Sequence, residues 1–216
     1  MRLSILVSGR GSNLAAILND IRDRRLPNVL AVLVVSNRPA IPALDIAARH
    51  GVPTMVLDRA SFANAGARDA AIGLAVSNSG ADVALLAGYD QLLRGPYFEK
   101  FAGRTINIHP SLLPRHGGRG MMGVAVHAAV LASGDEETGV TIHEVTDELD
   151  AGPVLAQARV AVQPGETAEA LADRVLAVEH RLLISTLRSL AAKDSPSDLS
   201  GRMAAGPSAG DARVDA

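Results

Sequence analysis

Short apolar runs alternate with segments of helical period along most of the chain. Leu3 to Val7, Val29 to Val35, Thr54 to Leu57, Asp82 to Ala87 and Thr105 to Ile108 are brief and rich in aliphatic residues. Runs of this kind mark strands buried on both faces. Between them, Leu14, Ile17, Leu18 and Ile21 recur at helical spacing. Ala43 to His50, stopped by Gly51, and Arg68 to Val76, ended by Ser77-Asn78-Ser79-Gly80, also read as helices. This alternation predicts an α/β fold, a mostly parallel twisted sheet with helices on both faces.

The pattern changes in the second half. Arg115 to Gly123 is glycine-rich and aperiodic, as expected of a mobile loop that could act as a lid. Val124 to Leu131 predicts a short helix. Gly139 to Thr146 alternates apolar and polar positions, which predicts a half-exposed strand. Asp147 to Pro153 is a tight acidic turn, and Val154 to Val162 is expected as an antiparallel strand at the sheet edge. Thr167 caps a long helix from Ala168 to about Ala192, with Leu171, Val175, Val178 and Leu182 on one face. From Lys193 onward Ser, Asp, Gly, Ala and Pro dominate, so residues 193–216 are expected as a flexible tail. Gly206-Pro207-Ser208-Ala209-Gly210 matches a serine-hydrolase elbow there, but without a strand-turn-helix setting it reads as a chance match.

Ligands of such sheets sit outside the carboxyl ends of the strands. Ser8-Gly9-Arg10-Gly11-Ser12-Asn13 lies between the first strand and the first helix. Glycines there let free backbone N–H groups approach a phosphate, assisted by the helix dipole. Ser12 or Asn13 could instead serve only as the helix N-cap. A dinucleotide fingerprint fails, because Leu14 takes the third glycine position and the second strand ends in Ser36-Asn37-Arg38-Pro39, without a ribose-binding acid.

Asn107 and His109 are two apart on a strand that stops at Pro110, so both side chains point the same way. An amide and an imidazole aimed at one point make an oxyanion site. Asp150 is the candidate carboxylate that would orient the imidazole and share proton transfer with it. No serine is placed as nucleophile, and the chain has no cysteine. The chemistry expected is therefore direct attack by one bound substrate on a carbonyl of another. Two plainer readings stand beside this: His109 as hydrogen-bonded structure, and Asp147 to Gly152 as ordinary turn chemistry. His109, His116, His127 and His143 lack a metal-binding spacing, so no metal is expected.

The 216 residues suffice for one domain with a full core or two small ones, and 48% apolar content marks a globular chain. A net charge of −2 gives no general attraction to nucleic acid or acidic membranes. Aromatics at 2% argue against a base-stacking surface. No signal-peptide pattern and no membrane-length apolar run occurs, so a cytoplasmic location is expected.

Ser8-Gly9-Arg10-Gly11-Ser12-Asn13-Leu14, Asn107-Ile108-His109-Pro110-Ser111-Leu112-Leu113-Pro114 and Val145 to Pro153 together resemble the phosphoribosylglycinamide formyltransferases, folate-dependent enzymes of purine synthesis. The resemblance runs from Met1 to about Ala192. It implies a Rossmann-like formyltransferase fold in one domain, 1–192, with a phosphate-binding half (1–100) and a catalytic, folate-binding half (101–192). It implies a one-carbon transferase that moves the formyl group of 10-formyltetrahydrofolate to the amine of 5'-phosphoribosylglycinamide. Asn107, His109 and Asp150 would be catalytic. Gly11, Ser12, Asn13, Gly88, Pro110 and Glu179 would bind the ribonucleotide, Glu179 through its ribose. Asp90, Gln91, Leu92 and Leu93, with Asn107 and Thr146, Asp147, Glu148, Leu149 and Asp150, would line the folate pocket.

Three departures from the family pattern stand out. Ala65 occupies the place of a folate-contacting arginine, for which Arg68 is a candidate substitute. Asp90-Gln91 replaces Met-Arg, and the loop Gly117 to Gly123 is longer. A formyltetrahydrofolate deformylase usually carries an N-terminal regulatory domain, expected to be absent because this chain opens on its first strand. A methionyl-tRNA formyltransferase has a different first loop and an added C-terminal domain. Sugar-nucleotide formyltransferases and a catalytically silent nucleotide-binding module are the remaining alternatives. The expected partners are the two small-molecule substrates, with no nucleic acid or membrane, in a monomer or homodimer.

Overall fold

A computed structural model describes residues 1–193. The tail and the Gly206–Gly210 pattern lie outside the described residues. A seven-stranded sheet runs in the order β3-β2-β1-β4-β5-β6-β7. β1 (Arg2–Val7), β2 (Leu30–Ser36), β3 (Thr54–Val56), β4 (Val83–Leu86) and β5 (Arg104–His109) are parallel. β6 (Glu137–Glu144) runs against β5, and β7 (Val154–Ala161) pairs antiparallel with β6 at the edge. The α/β class and the antiparallel edge expected from the apolar pattern are both present.

The helices are α1 (Ser12–Arg22), α2 (Pro42–Arg49), α3 (Ala65–Asn78), α4 (Gly95–Phe98), α5 (Val124–Ser133) and α6 (Ala168–Lys193). Alternate side chains of each central strand enter opposite layers. Leu3, Ile5 and Val7 of β1 pack with Leu14 and Ile17 of α1, Ala43 and Ala47 of α2, Val130 of α5, and Leu171 and Val175 of α6. Leu6 of the same strand packs with Ile72 and Val76 of α3 and Tyr97 of α4. Two covered faces explain why these strands read as unbroken apolar runs. Removing each of the Leu, Ile and Val side chains from water stabilises the fold by roughly 1.5–3 kcal/mol.

β6 departs from expectation. Residues 138–143 are all buried rather than alternately exposed. Thr141 and His143 tolerate this because each has partners, whereas Thr138 Oγ1 is buried without one among the described residues. Thr141 Oγ1 donates to the Ser111 carbonyl at 2.7 Å and accepts from the Leu113 N–H at 3.0 Å and Gln157 Nε2 at 2.9 Å. Those bonds hold the Pro110–Pro114 turn against the sheet. The short helix α4 and a 3-10 turn at Arg59–Ser61 were not expected; each is too brief to display a period.

The chain steps outward from β1 to β3, then returns to the other side of β1 at β4. The loops leaving β1 and β4 therefore diverge and open a crevice at the carboxyl ends of the strands.

Candidate active site

A cavity of about 620 Å³ occupies that crevice. It collects loops from β1, β4, β5 and the β6–β7 turn, together with residues of α5 and α6.

The β1 exit supplies Gly11, Ser12 and Asn13. Gly11 has φ 77, and a Cβ there would sit 2.8 Å from the Ala43 Cβ, so only glycine fits. Gly11 itself occupies the N-cap of α1, and it has no side chain to cap the helix. The reading of Ser12 or Asn13 as the cap is thereby corrected. The first-turn N–H groups, which a helix cannot satisfy internally, stay free for an anion. Asn13 Nδ2 instead donates to Glu179 Oε2 at 2.8 Å, tying the loop to α6. Burial pushes the Glu179 carboxyl upward, partly opposed by the Asn13 hydrogen bond. Asn13 Oδ1 remains buried without a partner among the described residues.

The β4 exit supplies Gly88, Asp90, Gln91, Leu92 and Leu93. Asp90 is already engaged. Its N–H donates to Ser8 Oγ at 3.0 Å, and its carboxylate accepts from Asn37 at 2.7 Å and pairs with Arg38. The side chain therefore braces the β2 and β4 exits against each other. Gln91 Oε1 is buried and without a partner among the described residues. Arg68 does not line the cavity. It is 5% exposed, paired with Asp69 at 2.6 Å, and its Nη2 reaches the Leu92 carbonyl at 3.4 Å from behind the wall. As a substitute for the arginine missing at Ala65 it is thus corrected to a support of the wall.

β5 delivers Asn107, His109 and Pro110. In the antiparallel register Asn107 faces His143. His143 Nδ1 donates to the Glu144 carbonyl at 2.9 Å, so its Nε2 is free to accept from Asn107 Nδ2 at 3.1 Å. Burial lowers the proton affinity of His143. The Glu144 hydrogen bond and Asp150 act against that effect, and His109 adds to it.

The turn after β6 contributes Thr146, Glu148, Leu149 and Asp150; Asp147 is exposed and forms no part of the lining. Asp150 adopts φ 55, rare for a residue with a side chain. A Cβ at Gly152 would lie 1.9 Å from the Glu144 carbonyl oxygen, which fixes glycine two positions on. This tight path turns the Asp150 carboxylate inward. Oδ2 lies 3.8 Å from His109 Nδ1 and accepts from the Gly118 N–H at 2.8 Å, while Oδ1 lies 3.6 Å from His143 Nε2. Among the sequence-derived candidates Asp147 and Arg68 stand outside the cavity lining.

Two participants escaped sequence reading. Sequence spacing presents His143 only as a metal-ligand candidate, although its alternation with Thr141 places it on the face of Asn107 once β6 pairs with β5. The Gly118 N–H could not be read from sequence, because backbone groups leave no residue signature. Among the described residues no group of three or more His, Cys, Asp or Glu is disposed to hold a metal ion. No described helix is long and apolar enough to cross a membrane.

An amide, an imidazole and a carboxylate thus converge beside an open helix N-terminus. The Formyl transferase family model matches residues 1–187. The chain belongs to the formyl transferase family. Among its relatives is the phosphoribosylglycinamide formyltransferase of Escherichia coli (strain K12), 36% identical over 84% of this chain and 83% of that protein. The trifunctional purine biosynthetic protein adenosine-3 of Bos taurus is 38% identical, but the chain spans only 18% of its length. The fold matches the crystal structure of glycinamide ribonucleotide transformylase 1 from Symbiobacterium toebii with a TM-score of 0.83 at 38% identity, covering 89% of this chain and 88% of that one. It also matches phosphoribosylglycinamide formyltransferase from Brucella melitensis with a TM-score of 0.79 at 40% identity, over 88% and 95%.

Proposed function

We propose that this formyl transferase moves the formyl group of 10-formyltetrahydrofolate to the amine of 5'-phosphoribosylglycinamide, a step of purine biosynthesis. The observation that carries the reading is the meeting of Asn107, His109 and Asp150 in the cavity bounded by the Gly11–Asn13 loop and Glu179. The names of its relatives support the same assignment. The cavity suits two ligands at once. An anion fits the open N-terminus of α1, the Asn13–Glu179 pair offers polar atoms to a ribose, and the unpartnered Gln91 Oε1 accepts from a donor-rich ring. Asp90 is assigned to the wall of the folate pocket through its backbone.

In the reaction the amine nitrogen attacks the formyl carbon, and the carbonyl electron pair moves onto oxygen. Asn107, held by His143, donates an N–H to that oxyanion. His109 Nε2 is occupied by the His116 carbonyl at 2.9 Å, so Nδ1 is the nitrogen that works. Protonated, Nδ1 donates to the oxyanion, and the Asp150 carboxylate stabilises the imidazolium. The attacking amine loses one proton to Asp150 or a water held by it. N10 of the folate leaves with one proton from His109. No metal enters this scheme. Residues 1–100 hold the phosphate and 101–192 carry the chemistry and most of the folate pocket. A cytoplasmic monomer or homodimer accords with the small-molecule substrates.

The test is a pair of incubations with 10-formyltetrahydrofolate, with and without 5'-phosphoribosylglycinamide. Turnover only with the ribonucleotide supports the reading. Equal turnover without it points to a deformylase, and none in either tube to a silent module. In the active enzyme His109→Ala should slow kcat by roughly two to four orders of magnitude; near wild-type turnover removes His109 from the mechanism.

A further inference from the structure

The ring of His109 is held by a second device outside the Asn107–His109–Asp150 group. His109 Nε2 contacts the backbone carbonyl of His116 at 2.9 Å. A carbonyl only accepts, so Nε2 carries the hydrogen, and the lone pair of the neutral ring is on Nδ1, toward Asp150. The position of one loop carbonyl therefore selects the tautomer. That carbonyl belongs to a residue in the left-handed region, His116 at φ 52, a conformation that costs a non-glycine residue energy unless its surroundings hold it.

The restraint is on the side chain. His116 Nε2 donates to Asp135 Oδ2 at 2.6 Å, and Arg115 pairs with the other carboxylate oxygen. Asp135 is only 8% exposed and His116 15%. The His116 hydrogen bond, against a smaller opposing effect of burial, keeps the Asp135 carboxyl below its ordinary range. Ser111 Oγ donates to the Arg115 carbonyl at 2.6 Å and secures the residue before. The segment between the Pro110–Pro114 turn and the glycine loop is thus pinned by residues outside the cavity lining.

We infer that Asp135, through the side chain of His116, is a positioning residue that keeps the His116 carbonyl on His109 Nε2 and so presents Nδ1 to the reaction. The inference rests on the assignment of His109 as the catalytic imidazole. Without Asp135, His116 leaves the left-handed region, its carbonyl swings away, and the His109 ring samples both tautomers and rotates.

The experiment reads the tautomer and the kinetics separately. Nitrogen-15 NMR of the full chain is recorded at about pH 8.5, some two units above the ordinary histidine value, with the His109 signal assigned by its loss in His109→Asn. Wild type should give a single Nε2–H tautomer. Asp135→Ala should give a tautomer mixture, with kcat down about tenfold and both KM values within twofold, as for a misplaced reacting group. Asp135→Asn, which still accepts from His116, should restore the single tautomer and most of kcat. His116→Ala repeats the test if Asp135→Ala does not fold, because it leaves the Asp135–Arg115 pair in place. A wild-type Nδ1–H tautomer, or unchanged tautomer and kcat in both Asp135→Ala and His116→Ala, overturns the inference. Should wild type fail to turn over the ribonucleotide, the functional reading falls, and the NMR arm alone still decides whether Asp135 sets the His109 tautomer.

Discussion

An imidazole that accepts rather than donates decides how Asn107 is presented. His143 spends its one N–H on the Glu144 carbonyl, which leaves its lone pair for the Asn107 amide. The other Asn107 hydrogen is then free for a developing oxyanion. His143→Ala should lower kcat roughly tenfold to a hundredfold, less than outright loss of an oxyanion donor, with little change in either KM; steady-state kinetics at saturating folate would measure it, and an unaltered kcat would mean that Asn107 orients itself. Glu179, proposed to meet the ribose, presents the opposite case, a side chain whose burial costs stability. Its folded-state proton affinity is raised by burial. A carboxyl shifted this way contributes stability below its ordinary value of 4.5 and loses it as pH rises through the folded value. At neutral pH the ionised group is therefore a net burden. Glu179→Gln, which still accepts from Asn13, should raise Tm at pH 7.5 by about 2 °C, the gain fading toward pH 4.5, while KM for the ribonucleotide rises. Thermal melts across that range give the check, and a lower Tm at pH 7.5 would contradict it. At this scale the sequence was legible where chemistry is local: Asn107 and His109 announce a shared direction by their spacing. It was silent where the partner is a backbone atom, as for Gly118 and Asp150.

Between elements, α1 and α2 meet at Gly11. The Gly9 carbonyl accepts from the Ala43 N–H at 3.2 Å, and the Gly11 Cα sits where any Cβ would strike Ala43. Gly11→Ala should therefore cost about 1–3 kcal/mol from overpacking, with strain at φ 77 added. It should also raise KM for the ribonucleotide more than KM for the folate, because the displaced N–H groups are those proposed to hold the phosphate. A urea titration reports the first effect and initial rates the second; the reverse order of KM changes would mean that the β1 loop is misassigned. β1, β2 and β4 were readable because their buried faces favour apolar residues, whereas β3 is exposed along its whole length. β6 misled for a related reason. Its Thr141 and His143 look solvent-facing in sequence, yet they are buried against the Pro110–Pro114 turn and the carboxylate of Asp150. Polar residues with tertiary partners mimic an exposed face, and no local pattern separates the two.

Over the whole molecule, three histidines share one direction of shift. Burial is the first cause of lowered proton affinity at His127, His143 and His180, joined at His127 by the nearby His109. The folded state binds protons at these rings more weakly than the unfolded chain does. Stability is therefore present above the ordinary histidine value of 6.5 and lost as pH falls toward the folded values. Unfolding free energy should begin to decline below about pH 6.5, before most carboxylates titrate, and equilibrium urea unfolding between pH 7.5 and 5 would measure the slope. A flat profile there would show that these imidazoles ionise freely in the fold.

The sequence by itself determined the layered α/β fold, the positions of the loops that could carry chemistry, and the residue types able to stabilise an oxyanion and hold a phosphate. These follow from periodicity, from chain-breaking residues and from side-chain chemistry, all of which act over a few neighbouring positions. Only the tertiary structure decided that Asp150 turns inward at a left-handed backbone to face both His109 and His143, that Arg68 supports a wall instead of touching a ligand, and that the His116 carbonyl selects a tautomer. Those outcomes depend on distances between segments remote in the chain, set by strand register and by steric exclusion at Gly11 and Gly152, and no short stretch of sequence contains them.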